Sequence, residues 1–434
     1  MRKTMRPLGT RLRAIGIALA VAVVLVAAVG AQAQTHRRQP HYHFRLLYSF
    51  TGGADGGNPY ANVIQDTEGN LYGTTYYGGS SSCGVVFKVF TGNTVTPRVD
   101  RETVLYSFTC GADGAYPYAG LVLRGGNLYG TTLGGGSSGY GVVYEVPSTG
   151  GSETVLHSFT GGSDGGYPYG GLAQAPDRRA KHPQVALYGA ATDYGANGYG
   201  TVFSILPNGT FKTLTSFNYS DGGYPFGGAI CGAITRYCKA LFGATEEGGT
   251  YGYGTVYKVA NGTETVLHNF EDSGSDGGYP SYGYLVENDN GTLYGTTKEG
   301  GTYGYGTVYK VYATGTETVL YNFTGGSDGG YPLGCLATKP AGRHHHWGEG
   351  YVLYGTTQSG GASGYGTVFQ VIVNTKQETV LHSFSYSSDG AYPFAGPVVE
   401  SGDGRSRNLY GVTFEGGSGG YGTVWEMVFN KNSY

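Results

Sequence analysis

The stretch SDGGYPYGGL, Ser163 to Leu172, decides the fold, because nearly the same phrase is written seven times along the 434 residues. The copies read ADGGNPYANV, ADGAYPYAGL, SDGGYPYGGL, SDGGYPFGGA, SDGGYPSYGY, SDGGYPLGCL and SDGAYPFAGP. Each carries one aspartate: Asp55, Asp113, Asp164, Asp221, Asp276, Asp328 or Asp389. Asp-Gly-Gly before an X-Pro step is turn chemistry. The carboxylate is expected to accept backbone N–H groups two residues on, glycine to take φ > 0, and proline to set the start of the next segment. A catalytic acid is needed once, whereas a turn is needed at every repeat, so the aspartates are read as structural. A calcium ring fits poorly, since each loop offers one carboxylate where Ca²⁺ takes about 6 to 8 oxygens.

Outward from that turn, four signals recur in fixed order. In the second unit they are a short apolar run (Gly120 to Leu123), LYGTT (Leu128 to Thr132), GYGVVY (Gly139 to Tyr144) and ETVLHSF (Glu153 to Phe159). Runs of β-branched and aromatic residues bounded by Gly, Asp, Asn and Ser are short strands joined by tight turns. The third signal begins at Gly84, Gly141, Gly200, Gly254, Gly306, Gly366 and Gly422, so four strands recur seven times. From His43 to Tyr434 there are 392 residues, or 56 per unit, close to the length of known propeller blades. The fold expected is all-β, a seven-bladed β-propeller with four strands per blade. A β-solenoid is the alternative, but its rungs are shorter and lack this four-part grammar. The sequence also opens on a fourth-strand signal, HFRLLYSF (His43 to Phe50), and closes on a third-strand one, GTVWEMVF (Gly422 to Phe429). The N-terminal strand is therefore expected to pair with the C-terminal blade and close the ring.

The recurring SDGGYP, LYGTT and GYGTVF elements resemble the glycine-rich GloVer tandem repeat of secreted bacterial proteins. The resemblance spans essentially all of residues 43 to 434. It implies an extracellular propeller and carries no catalytic residues with it.

Residues 1–33 read as a signal peptide: Arg2, Lys3, Arg6, Arg11 and Arg13 precede an apolar run from Ala14 to Gly30 that ends in Ala31-Gln32-Ala33. An uncleaved anchor is the alternative. Residues 34–42 form a short linker, and the propeller is placed at 43–434. Cleavage would remove five basic residues and no acidic ones, leaving 22 Lys and Arg against 30 Asp and Glu, a net charge of −8. That balance argues against a nucleic-acid partner. No membrane span is expected after cleavage, and the protein is expected to act as a monomer in a secreted, extracellular or periplasmic setting. The 82 glycines and 41 tyrosines beside only 13% charged residues exclude a disordered chain.

Candidate functional residues come from the asymmetries of the repeat. The residue after the repeated proline should sit at the mouth of the axis on the upper face: Tyr60, Tyr118, Tyr169, Phe226, Ser281, Leu333 and Phe394. Five are aromatic, contiguous around the ring. The two positions after LYGTT are read as Tyr76-Tyr77, Leu133-Gly134, Asp193-Tyr194, Glu246-Glu247, Lys298-Glu299, Gln358-Ser359 and Phe414-Glu415. Asp193, Glu246, Glu247 and Glu299 thus gather on blades three to five, either as a solvated acidic patch or as a cation or glycosidase-like site. His344, His345 and His346 lie in an insertion with only Glu349 at ligand spacing, which reads as a surface loop. Cys231 and Cys238 flank a hairpin centred between Ile234 and Thr235 and are expected to be directly opposite and disulfide-bonded. Cys83 and Cys110 form a second candidate pair, leaving Cys335 free.

No nucleophile elbow, HExxH, Walker or Rossmann motif appears, and no cofactor is expected. The sequence reads as a non-enzymatic binding propeller recognising a glycan or a cell-surface protein. The alternatives are a polysaccharide-acting hydrolase or lyase, and a purely structural scaffold.

Overall fold

A computed structural model describes residues 42–91, 101–174, 186–232, 238–280, 284–288, 290–339, 351–399 and 408–429. Tyr42–Phe429 is one unit, built of seven four-stranded antiparallel sheets. In blade 1 the strands are Ile64–Gln65, Leu71–Thr75, Val85–Phe90 and Arg101–Ser107, paired in chain order from axis to rim. Blades 2 to 6 repeat the pattern. Blade 7 takes Val398–Val399, Leu409–Thr413 and Thr423–Phe429 from the end of the chain and its outer strand, Tyr42–Ser49, from the beginning. The register runs from Tyr42 opposite Phe429 to Ser49 opposite Thr423. The ring closes as the two ends of the sequence imply.

The second strands show why the repeat is written as it is. LYGTT at Leu71–Thr75 and at Leu293–Thr297 is buried at every residue, because a blade is covered on both faces by its neighbours. The glycine in the middle lies under the aromatic ring of the third strand: a Cβ on Gly295 would come within 2.5 Å of the Tyr309 hydroxyl, and one on Gly189 within 2.6 Å of the Phe203 ring. The second threonine caps the strand. Thr245 donates its hydroxyl to the Glu247 carbonyl at 3.0 Å and lies 2.9 Å from the Thr255 hydroxyl.

Each outer strand contains a bulge. In blade 1, Val86 pairs with Tyr106 and Phe87 with Val104, so Leu105 is the extra residue. The same shift occurs against Val143/Tyr144, Val202/Phe203, Val256/Tyr257, Val308/Tyr309 and Val368/Phe369, and at Leu47 in blade 7. An extra residue reverses which face the following side chains occupy. Phe87 packs with Phe50 and Leu47 of the preceding junction, whereas Val86 packs with Phe108 and Tyr144 of the next. Hence Glu102, on the Phe87 side of the bulge, faces back to blade 7, while Tyr106 faces forward to blade 2.

Candidate functional site at the upper mouth

Seven turns position the mouth. In each, the residue before proline has a left-handed backbone: Tyr116, Tyr167, Tyr224, Tyr279, Tyr331 and Tyr392, with φ between 51° and 60°, and Asn58 at 57°. Asparagine tolerates that region, but six tyrosines there are strained. Tertiary contacts hold them. The Tyr167 N–H donates to the Tyr140 carbonyl at 2.9 Å, and Tyr224 N–H to Tyr199 in the same way at 3.0 Å. Five of the six rings pack on the tyrosine of the neighbouring GYG loop, for example Tyr167 on Tyr140 at 5.5 Å and Tyr392 on Tyr365 at 5.7 Å, whereas Tyr116, whose loop carries Cys83 instead, packs on Tyr76 at 5.1 Å. Around them Tyr77, Tyr251, Tyr303 and Tyr421 are among the most exposed apolar side chains described.

The residues after proline lie inside this ring. Tyr60 stacks on Tyr118 at 4.2 Å, Tyr118 meets Tyr169 at 5.1 Å, Tyr169 meets Phe226 at 4.7 Å, and Phe394 lies 5.0 Å from Tyr60. The five candidates therefore form one continuous, half-buried arc that Phe414 and Tyr76 extend, at 4.5 and 5.3 Å from Tyr60. Their faces are partly spent on one another. Leu333 is buried, and Ser281 lies outside the described residues. Beneath the arc is a cavity of about 40 Å³ bordered by Tyr60, Asn62, Tyr118, Tyr169, Tyr284 and Cys335. That is space for about one water, so a larger ligand would have to rest above the arc.

The register corrects the reading of blade three. Ala190-Ala191 stands where LYGTT has its two threonines, the second of which every other blade keeps, and Ala191 pairs with Thr201 as Thr245 pairs with Thr255. The first position after that strand is Thr192, and Asp193 occupies the second: it bridges Gly166 as Glu247 bridges Gly223. A local LYGAAT string hides this shift. The first positions are consequently Tyr76, Leu133, Thr192, Glu246, Lys298, Gln358 and Phe414, aromatic or apolar on one side of the ring and polar on the other.

On the polar side, burial pushes the Glu246 carboxyl up to about 7; Lys298 offsets part of this, and Glu247 and Glu299 add to it. Burial also raises Asp193. The Tyr169 hydroxyl is raised by burial and then by the charges of Asp193, Tyr167 and Glu246, so the carboxylates and the aromatic arc share one neighbourhood. Lys298 Nζ lies 3.6 Å from Glu299 Oε1. Asp193 and Glu246 thus lie beside Tyr169 of the arc, with Glu247, Glu299 and Lys298 next to Glu246. Among the described residues no group of three or more His, Cys, Asp or Glu is arranged to hold a metal, and His344, His345, His346 and Glu349 lie outside them.

The repeated aspartates serve the turns, with one correction of direction. They accept from upstream rather than from two residues on, Asp276 alone also taking the N–H of the next residue, Gly277, at 2.7 Å. Asp113 Oδ2 takes the Thr109 N–H at 2.8 Å and the Tyr106 hydroxyl at 2.9 Å, and Oδ1 takes the Thr109 hydroxyl. Burial alone would raise Asp113, but these donors hold its carboxyl below the usual carboxylate value. Asp55 and Asp328 repeat the pattern with Tyr48 and Tyr321; Asp164, Asp276 and Asp389 take His157, His268 and His382 instead. The tyrosine or histidine two residues before the strand-ending Phe is the partner that sequence reasoning overlooked. Its signal was present as the alternation of YSF, HSF, HNF and YNF.

Both candidate disulfides form, Cys83–Cys110 and Cys231–Cys238, with Cα atoms 5.5 and 5.3 Å apart, and Cys335 is free. Cys231 and Cys238 are not opposite in the ladder, however. Cys231 pairs with Leu241, and Cys238 precedes the second strand, so the bridge crosses the connecting loop.

Fold and mouth together define a seven-bladed β-propeller of tandem glycine-rich repeats. Two overlapping stretches, residues 36–181 and 174–348, match the Gloeobacter/Verrucomicrobia repeat, and the chain belongs to that family. None of the curated proteins matches it. Among solved structures, it is similar to an oligogalacturonate lyase from Vibrio parahaemolyticus at 10% identity, covering 91% of this chain and 98% of the other with a TM-score of 0.53. An oligogalacturonate lyase in complex with manganese gives the same identity and TM-score, over 91% and 95%. TolB from Acinetobacter baumannii aligns at 11% identity over 84% and 78%, with a TM-score of 0.38. At such identities the likeness is one of fold alone.

Proposed function

We propose that this propeller is a binding module that takes a carbohydrate on its upper mouth. The observation that carries the reading is the division of that mouth into an aromatic arc, from Phe394 through Tyr60 and Tyr118 to Phe226, and a polar arc of Glu246, Lys298 and Gln358. A sugar ring offers an apolar face to aromatic carbons and hydroxyls to charged acceptors and donors. The exposed tyrosines of the surrounding loops widen the surface with rigid contact area of low entropic cost. A glycan array read with the mature chain tests this, followed by Lys298→Ala and Glu246→Gln. Both residues are outside the stacked arc, so binding should fall about tenfold or more with little change in melting temperature. A Lys212→Ala variant, exposed on the outer strand Phe211–Ser216 of blade three, should bind as the wild type. An array without hits would leave the scaffold reading in possession.

One observation favours a second reading, a polysaccharide-acting hydrolase or lyase. A carboxyl held near 7, as Glu246 is, is poised for general acid or base work. The oligogalacturonate lyases that share the fold make polygalacturonate a natural first substrate to try. Chain cleavage that Glu246→Gln abolishes would establish this reading; intact polymer would dismiss it for that substrate.

A further inference from the structure

Away from the mouth, the outer strands carry a repeated glutamate at the start of ETVL. Among the described residues, Glu102, Glu153, Glu264, Glu317 and Glu378 each have a buried Oε1 without a hydrogen-bond partner. The same defect at five equivalent places is a designed feature of the repeat. An ionised carboxylate oxygen shut away from water with no donor is costly, whereas a neutral carboxylic acid is far less so.

The bulge explains what these glutamates face. Each points back to the preceding junction, toward the aspartate of the previous turn and, except at Glu264, where Thr215 takes that place, the aromatic that donates to it. Two junctions of this same chain show the pairing directly, because the glutamate is replaced there by phenylalanine. Phe211 stacks on His157 at 3.8 Å and Phe44 on His382 at 4.1 Å. The glutamate position therefore looks onto the Tyr/His position of the neighbouring blade.

We propose that these five glutamates are proton-held clasps between blades: each is a neutral acid in the folded ring, so the ring is tightest in mild acid and loosens as the pH rises to neutrality. Burial raises Glu102, Glu153, Glu264 and Glu317 to about 7 and Glu378 to about 8. Next comes the like charge of the preceding aspartate: Asp55 on Glu102, Asp113 on Glu153, Asp221 on Glu264, Asp276 on Glu317 and Asp328 on Glu378. His268 and Lys376 act in the opposite sense on Glu317. The remaining facing groups are hydroxyls that stay neutral: Tyr48 near Glu102, Tyr106 and Tyr144 near Glu153, Tyr257 near Glu264, Tyr309 near Glu317 and Tyr321 near Glu378.

A carboxyl whose folded pKa exceeds its unfolded one binds more protons when folded. Its contribution is complete below the unfolded value near 4.5 and is lost as pH rises through about 7 to 8. His157 and His382, which burial lowers, act oppositely: their neutral forms favour the folded ring above the unfolded value near 6.5, and that is lost as pH falls. These two stand at the phenylalanine junctions, so removing glutamates leaves their contribution in place.

The test is denaturant unfolding of the mature chain from pH 4.5 to 8.5 beside the Glu102→Gln/Glu378→Gln variant. Two clasps removed should flatten the profile: the wild-type folding constant should fall relative to the variant's by about tenfold or more per pH unit between about 5 and 7, at least one net proton. Adding a clasp by His157→Tyr with Phe211→Glu should steepen it. Should the double variant not fold, Glu378→Gln alone is compared, together with carboxyl-carbon NMR of the wild type, where glutamates titrating near 7 are expected. Parallel profiles, or glutamates that all titrate near 4.5, overturn the proposal. So does a wild type stabilised at pH 8 by calcium but not by acid, since the carboxylates would then hold a cation.

Discussion

The single aspartate of each turn can be judged by its donors. Asp164 accepts the Thr160 N–H and His157 Nε2 at 3.1 Å through Oδ2, and the Thr160 hydroxyl through Oδ1. Both oxygens are in use, so Asp164→Asn turns an amide NH₂ onto a donor and should cost about 1 to 3 kcal/mol. Asp221 is the natural contrast. Thr215 replaces the Tyr/His partner of that junction, and the described network gives Asp221 the Asn218 N–H at 2.9 Å. Asp221→Asn keeps an oxygen for that bond and should cost less than about 0.5 kcal/mol. Urea unfolding of the two variants decides it, and equal losses would mean that the donor count is irrelevant. A sequence shows seven equal aspartates; the donors that converge on each come from the end of the preceding outer strand, three to eight residues upstream, and differ from turn to turn.

At the scale of the strand, what was legible and what was not follow from range. Turn chemistry and strand composition act within a few residues, and they located four strands per blade and the order of the signals. The bulge at Leu105 and its equivalents depends on how the outer strand fits its partner, and nothing in ETVLHSF marks it. The same holds for Asp193, where Ala-Ala in place of Thr-Thr shifted the count, and for Cys231, whose ladder partner is Leu241 rather than Cys238. The glycine before the third strand is legible and exacting. Gly254 has φ 95°, and a Cβ there would strike the Thr245 carbonyl, with the Glu246 carbonyl 2.8 Å away. Gly254→Ala combines left-handed strain with a clash against backbone, so a loss of more than about 2 kcal/mol is expected. Chemical denaturation measures it, and Gly262→Ala, in open space with φ 77°, should cost only the ~1 kcal/mol of the backbone conformation. Similar losses at both sites would remove the steric part of the argument.

The whole ring depends on one strand brought from the far end of the chain. Tyr42–Ser49 supplies the rim of blade 7, Phe50 N–H donates to the Gly422 carbonyl at 2.9 Å, and Arg45 pairs with the buried Glu426 at 3.2 Å. Phe44 stacks on His382 of blade 6, and fully buried Phe50 meets Phe87 of blade 1 at 5.1 Å. One strand therefore contacts three blades, and its loss opens two junctions at once. A fully buried phenylalanine is worth about 3 to 5 kcal/mol against alanine, comparable with much of a domain's net stability of about 5 to 15 kcal/mol. Phe50→Ala should lower the melting temperature while leaving unfolding cooperative. A chain starting at Thr51 should lose its cooperative transition altogether, because the exposed edge of Thr423–Phe429 and the bared face of blade 1 destabilise opposite sides of the same ring. Adding a peptide of residues 42–50 should restore the transition in a concentration-dependent way, as expected of a missing strand. If the shortened chain melts like the full one, the closure contributes nothing and the ring is held by its blade-to-blade packing alone.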